Sequence, residues 1–91
     1  MAFAIRFAPG AMSAVKYAEV HARLEQAGKS KPAGRLHHFG YGEPDQIHVF
    51  DIWDNLDNFQ AFGAVLMPIL AELGVDPGEP EIRPLVMSQD F

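Results

Sequence analysis

The sequence predicts an α+β fold in which two helices cover one face of a four-stranded antiparallel sheet. Three observations carry that prediction. Apolar residues recur first at strand spacing and then at helical spacing in the order β-α-β-β-α-β, with Gly/Pro clusters between the segments. The third strand segment, QIHVFDIW, is apolar on both of its faces. The composition, 48% hydrophobic and 21% charged over 91 residues, is that of an ordinary globular chain too short for two full domains. Residues 1–91 are therefore expected to form a single domain.

Met1 to Phe7 alternates, with Phe3, Ile5 and Phe7 on one side, and Pro9-Gly10 ends the strand. Ser13 is the expected N-cap of a helix on which Tyr17, Val20, Leu24 and Ala27 keep helical spacing. Gly28 stands where a left-handed C-terminal residue belongs. Lys29 to Gly34 reads as a loop, and Lys29, Lys31 and Arg35 as its solvated charges. Arg35 to Tyr41 and Gln46 to Trp53 are the strands of a hairpin, joined by a turn at Glu43-Pro44-Asp45. Asp54 or Asn55 caps the second helix, whose apolar positions run from Leu56 through Phe59, Phe62 and Leu66 to Leu73. Pro68 lacks an N–H and its ring meets the carbonyl four residues back. A break or kink between Gly63 and Met67, leaving two short helices, is the expected result, with Gly74 ending the second. Glu81 to Met87 is the last strand. Pro84 cannot donate to a ladder, so that strand belongs at an edge or carries a bulge.

This order is the ferredoxin-like split-βαβ arrangement. It leaves one sheet face uncovered, and His48, Phe50 and Ile52 of the third strand would fall on it. A chain of this size buries only about 60–65% of its unfolded surface, and with no cysteine it has no disulfide or thiolate metal site to compensate. Burying the open face against a second copy answers both problems, so a homodimer is expected.

The net charge of −5 is divided unevenly: +2 up to Asp45 and −7 beyond it. An acidic chain without a basic run is a poor partner for phosphate backbones, and nucleic acid is disfavoured. No stretch has the length of apolar sequence that a membrane span requires. The N-terminal segment lacks the basic and apolar regions of a signal peptide, so a cytoplasmic location is expected.

With these elements in place, the chain resembles the dimeric α+β barrel superfamily, in particular its small antibiotic-biosynthesis-monooxygenase-like members. The resemblance covers nearly the whole chain in element order and is sharpest in HVFDIWDNLDNFQAF, residues 48–62, where a strand ending in Trp runs directly into a helix. LMPILAELGVDPGEPEI, residues 66–82, is similar to the same region of small actinobacterial members. The resemblance implies two sheets packed face to face and a pocket between each sheet and its own helices. It also implies a range of activities: quinone-forming oxygenases without cofactors, haem-degrading enzymes, cyclases, dismutases and proteins with no known reaction. Haem-degrading relatives carry an iron-ligating histidine on the second helix. Here Gly63 occupies that region and no histidine follows His48, which argues against haem.

Trp53 matches the family's strand-end Trp, a pocket residue in several oxygenases; it could equally be a core tryptophan needing one partner for its indole N–H. If Trp53 faces the helices, strand alternation puts Asp51, Val49 and Ile47 there too. Asp51 then either pairs with an imidazole as a proton-transfer unit or serves as a structural carboxylate bonded to a backbone N–H or to Arg83. His37 and His38 are adjacent in a strand, so only one enters the pocket; the His-His pair resembles small members of the family, which favours His38, and the other remains open as a substrate contact or a surface residue. Tyr17 and His21 lie one helical turn apart and could bring two polar tips into the same space, or sit at its boundary with wet tips. Phe59, Phe62, Leu66 and Met67 would form the apolar wall or plain core. No phosphate loop, flavin or nicotinamide signature is present, and metal binding is disfavoured. The expected function is a pocket for a hydrophobic aromatic or polyketide-like molecule, with His38, Asp51 and Trp53 as catalytic residues of a cofactor-independent monooxygenase. The alternatives are a non-catalytic binding or assembly module and a cyclase or isomerase on the same pocket.

Overall fold

The computed structural model describes residues 1–87. The elements follow the expected order: β1 (Phe3–Phe7), α1 (Ala14–Gln26), β2 (Arg35–Glu43), β3 (Gln46–Trp53), α2 (Leu56–Glu72) and β4 (Glu81–Pro84). The strands form one antiparallel sheet of order β2-β3-β1-β4, with both helices against one face. The two most apolar strands, β3 and β1, are central. β4 is an edge, and Pro84 closes it, where its missing N–H interrupts no inner ladder.

Local chemistry accounts for the helix ends. The Ser13 hydroxyl accepts from the Lys16 N–H at 3.1 Å, and the Asn55 side-chain oxygen Oδ1 accepts from the Asn58 N–H at 2.8 Å. Each satisfies one of the amides that a first turn leaves without a partner. Of the two candidate caps for α2, Asn55 takes the position and Asp54 does not. Gly28 follows the end of α1 with φ +71°, a conformation that costs a side-chain-bearing residue energy and glycine little.

Three expectations need correction. α2 is one continuous helix from Leu56 to Glu72 with Pro68 inside it, and does not divide into two short helices. Pro68 and Ala64, whose carbonyl loses its N–H partner, both face solvent. Water can bond that carbonyl, and the outer side of a helix tolerates lengthening there. The hairpin is tighter than predicted, because β2 continues to Glu43 and only Pro44 and Asp45 lie in the turn. The terminal strands are shorter, with β1 beginning at Phe3 and β4 stopping at Pro84.

The core is a single cluster between sheet and helices. Ile5 and Trp53 come from the sheet, Val20 and Leu24 from α1, Phe62 and Leu70 from α2, and Met12 and Val75 from the connectors. The connectors are tied at one end of the molecule: Gly10 donates to the Asp76 carbonyl at 2.7 Å and Asp76 donates back at 3.1 Å. Ile47 also donates to the Met12 carbonyl at 2.8 Å. No helix among the described residues is long and apolar enough to cross a membrane.

Candidate functional site

Strand register builds the site. Asp51 lies in β3 between Val49 and Trp53 on the helix-facing side, and β2 places His38 directly opposite it. Their side chains therefore leave the sheet together, and His38 Nδ1 meets Asp51 Oδ1 at 2.5 Å. The other carboxylate oxygen accepts from the Trp53 indole N–H at 3.3 Å. Asp51 is only 4% exposed, so each of these bonds offsets part of the cost of burying a carboxylate.

A carboxylate can only accept, so His38 carries its proton on Nδ1 and turns Nε2 outward as an acceptor. There it meets the Tyr17 hydroxyl at 2.7 Å. Tyr17 reaches down from α1 through space that a glycine leaves open. A Cβ at Gly40 would stand 2.4 Å from the Tyr17 oxygen. His21, one turn further along α1, packs edge-on against Tyr17 at 4.5 Å and against His38 at 5.2 Å between ring centroids. The outcome is a continuous line, Tyr17–His38–Asp51–Trp53, running from the helix layer to the core.

Burial pushes the Tyr17 hydroxyl above its ordinary range, and the Asp51 charge adds to this while Arg35 opposes it. Burial also pulls His21 below the ordinary imidazole value, helped by His38 and Arg35 and opposed by Asp51. Below about pH 6.5 the unfolded chain binds a proton at His21 that the folded chain resists. Folding stability should therefore fall as the pH drops through that region, and more gently in His21→Phe. Thermal melts of both proteins between pH 7.5 and 5 measure this, and parallel curves would show that His21 contributes nothing.

The line opens onto a pocket between helices and sheet. Its cavity volume is about 60 Å³, and it is open to solvent on one side. Of the residues singled out from sequence, Tyr17, His21, His38, Asp51, Phe62, Leu66 and Met67 line it. Three do not. Trp53 is fully buried behind Asp51, against Phe59 and Phe62. Phe59 packs on Phe7 and Trp53 in the core. His37 lies on the opposite face of the sheet, stacked on Phe39 at 6.3 Å, because a strand sends its neighbours His37 and His38 to opposite sides. Arg83, one suggested partner of Asp51, also points away and donates to the Ile82 carbonyl.

Two site residues escaped the sequence reading. Arg35 is no solvated loop charge: it is half-buried, lines the pocket, and sits 5.3 Å from the centre of the Phe62 ring. Simple alternation would put Arg35 on the side of His37. An irregularity in the β2 ladder between Arg35 and His37 returns it to the side of His38, and nothing in the local sequence announces it. Gly40 had a legible signal, a missing side chain two residues beyond His38 and so on the same face. Among the described residues no three His, Cys, Asp or Glu side chains are grouped to hold a metal.

No family model matches the chain, and no curated protein does. Solved structures do match. A cofactor-independent oxygenase from Streptomyces nogalater, SnoaB, is similar over 96% of this chain and 93% of its own, with 18% identity and a TM-score of 0.63. A candidate antibiotic biosynthesis monooxygenase from Chloroflexus aurantiacus matches over 99% and 98%, with 15% identity and a TM-score of 0.68. A second such candidate, from Deinococcus radiodurans, matches over 100% and 98%, with 17% identity and a TM-score of 0.62. At these identities the likeness speaks for the fold: the neighbours are antibiotic-biosynthesis-monooxygenase-like proteins, as the sequence resemblance implied.

Proposed function

We propose that the chain binds a flat, hydrophobic, hydroxyl-bearing aromatic or polyketide-like molecule and oxidises it with molecular oxygen directly, without a cofactor. The observation that carries this reading is the Tyr17–His38–Asp51 line at the wall of a largely apolar pocket. A substrate hydroxyl placed at Tyr17 gives up its proton to His38 Nε2, through the tyrosine oxygen or by displacing it. Asp51 holds the resulting imidazolium by its Nδ1–H, a role that a buried, twice-bonded carboxylate performs well. Electrostatic effects are stronger in a site that excludes bulk water.

The deprotonated substrate is then electron-rich enough to pass one electron to oxygen. Recombination gives a peroxide at the ring carbon, and loss of water leaves a carbonyl. A CH₂ group and O₂ become C=O and H₂O, so the step balances with oxygen as the only co-reactant. Trp53 acts as a positioning residue beneath Asp51, not as a wall of the pocket. The Streptomyces neighbour is a cofactor-independent oxygenase, which supports the same kind of chemistry.

Oxygen uptake with an anthrone-like substrate tests the reading. We expect one O₂ consumed per carbonyl formed. Binding without turnover would make the chain a binding module, and conversion that continues under nitrogen would make it a cyclase or isomerase.

We place a second copy of the chain against the open sheet face. Phe39 and Tyr41 are 54% and 46% exposed there, beside Phe50 and His48, and a contiguous aromatic patch is rarely left to water. Analytical ultracentrifugation should give twice the 10.1 kDa chain mass; a monomer at micromolar concentration would remove the dimer.

A further inference from the structure

Arg35 is an unusual residue to find in this pocket. Among the described residues the lining is otherwise apolar apart from Tyr17 and the two histidines, and its only formal charges are Arg35 and Asp51. Asp51 is already engaged, by His38 on one oxygen and Trp53 on the other. Arg35 is not. Among the described residues the ion pairs are Arg23 with Glu19, Arg23 with Glu72, and His38 with Asp51. The Arg35 guanidinium makes one hydrogen bond, from Nη2 to the Ser30 carbonyl at 3.3 Å, and carries five N–H donors in all.

Its position is also restrained. The Phe62 ring lies against it at 5.3 Å, a cation–π distance, and the irregular start of β2 directs it inward. Its charge reaches both Tyr17 and His21 across the pocket. A half-buried, oriented guanidinium with donors to spare presents a planar fork whose shape matches a carboxylate.

We propose that the pocket selects an acidic aromatic substrate: Arg35 binds a carboxylate on the molecule whose hydroxyl faces Tyr17 and His38. This rests on the reading of the pocket as an aromatic-binding site and adds its substrate class. One cation lining the pocket suits a single negative charge. A phosphate would call for more, and among the described residues no lysine lines the pocket. Lys29 stands instead in the neighbouring recess, across Phe62, where it adds to the positive field an anion meets on approach. The same arginine would hold the ring in register while the hydroxyl proton leaves, so it acts on binding first and on turnover through orientation.

The test compares probes that differ only in the carboxylate: 2-naphthol against 3-hydroxy-2-naphthoate and 6-hydroxy-2-naphthoate, titrated calorimetrically into the full chain. We expect at least one of the acids to bind about 10–100-fold more tightly than the naphthol, the range for a hydrogen-bonded charge. Arg35→Met should bring that ratio close to one, and Arg35→Lys should keep part of it. Because the readout is a ratio within each protein, a general loss of affinity in a variant does not imitate the effect. Acids that bind no better than the naphthol in the wild type, or a ratio that survives in Arg35→Met, overturn the assignment. If none of the three binds, the aromatic-pocket reading falls together with it. Carboxylate-selective binding without oxygen uptake would uphold Arg35 and remove only the oxygenase.

Discussion

His38→Ala should lower oxygen consumption by about 10²–10⁴-fold, the usual contribution of a positioned acid–base group. Among the described residues, only His38 is bonded to both Tyr17 and Asp51. Without the imidazole a substrate proton at Tyr17 loses its hydrogen-bonded acceptor, and Asp51 lies beneath His38. The alanine variant also takes one hydrogen-bond donor from a carboxylate that is 4% exposed, which brings a folding penalty of its own. His38→Gln separates the two effects. Its amide can still donate to Asp51 but cannot take up a proton. We expect the glutamine variant to keep the wild-type circular dichroism spectrum and to lose turnover as fully as alanine. An oxygen electrode and a melt on each variant suffice. Glutamine retaining a third or more of the wild-type rate would show that His38 is not the base.

Trp53→Ala should be the most damaging substitution for the fold. The side chain is fully buried, contacts Phe59 and Phe62, and donates to Asp51. Removing a buried Trp typically costs about 3–5 kcal/mol, out of a total stability of about 5–15 kcal/mol for a small domain. The midpoint of thermal unfolding should drop by at least about 12 °C, at about 4–8 °C per kcal/mol. Trp53→Phe fills much of the space but leaves Asp51 Oδ2 without its donor. It should melt between the other two and reduce turnover by displacing the carboxylate. A drop of less than about 5 °C in Trp53→Ala would mean that the core closes over the gap without Trp53.

The site was partly legible before the fold. Adjacent strand histidines must part company, and alternation along QIHVFDIW puts Asp51 on the side of Trp53; period left open whether Asp51 meets an imidazole, and His38 was favoured over His37 by the family resemblance. Tyr17 and His21 were visible as one face of a helix. For Trp53 the pocket and core readings both stayed open, because periodicity gives a side, not a depth. It cannot tell a residue lining a cavity from one shut beneath the residue that does.

Element order, caps and the edge position of β4 belong to the sequence, because each depends on neighbours a few residues away: Ser13 on Lys16, Asn55 on Asn58, Pro84 on its own missing N–H. So does the α+β class, which needs only the alternation of two periods. The continuity of α2 through Pro68 was settled by which side of the helix met water, and that depends on where the helix docks. The inward turn of Arg35 was settled by a ladder irregularity against β3, the opening for Tyr17 by Gly40 on another element. These are relations between segments far apart in the chain. Their outcome depends on how the layers meet in space, and only the assembled tertiary structure determines that.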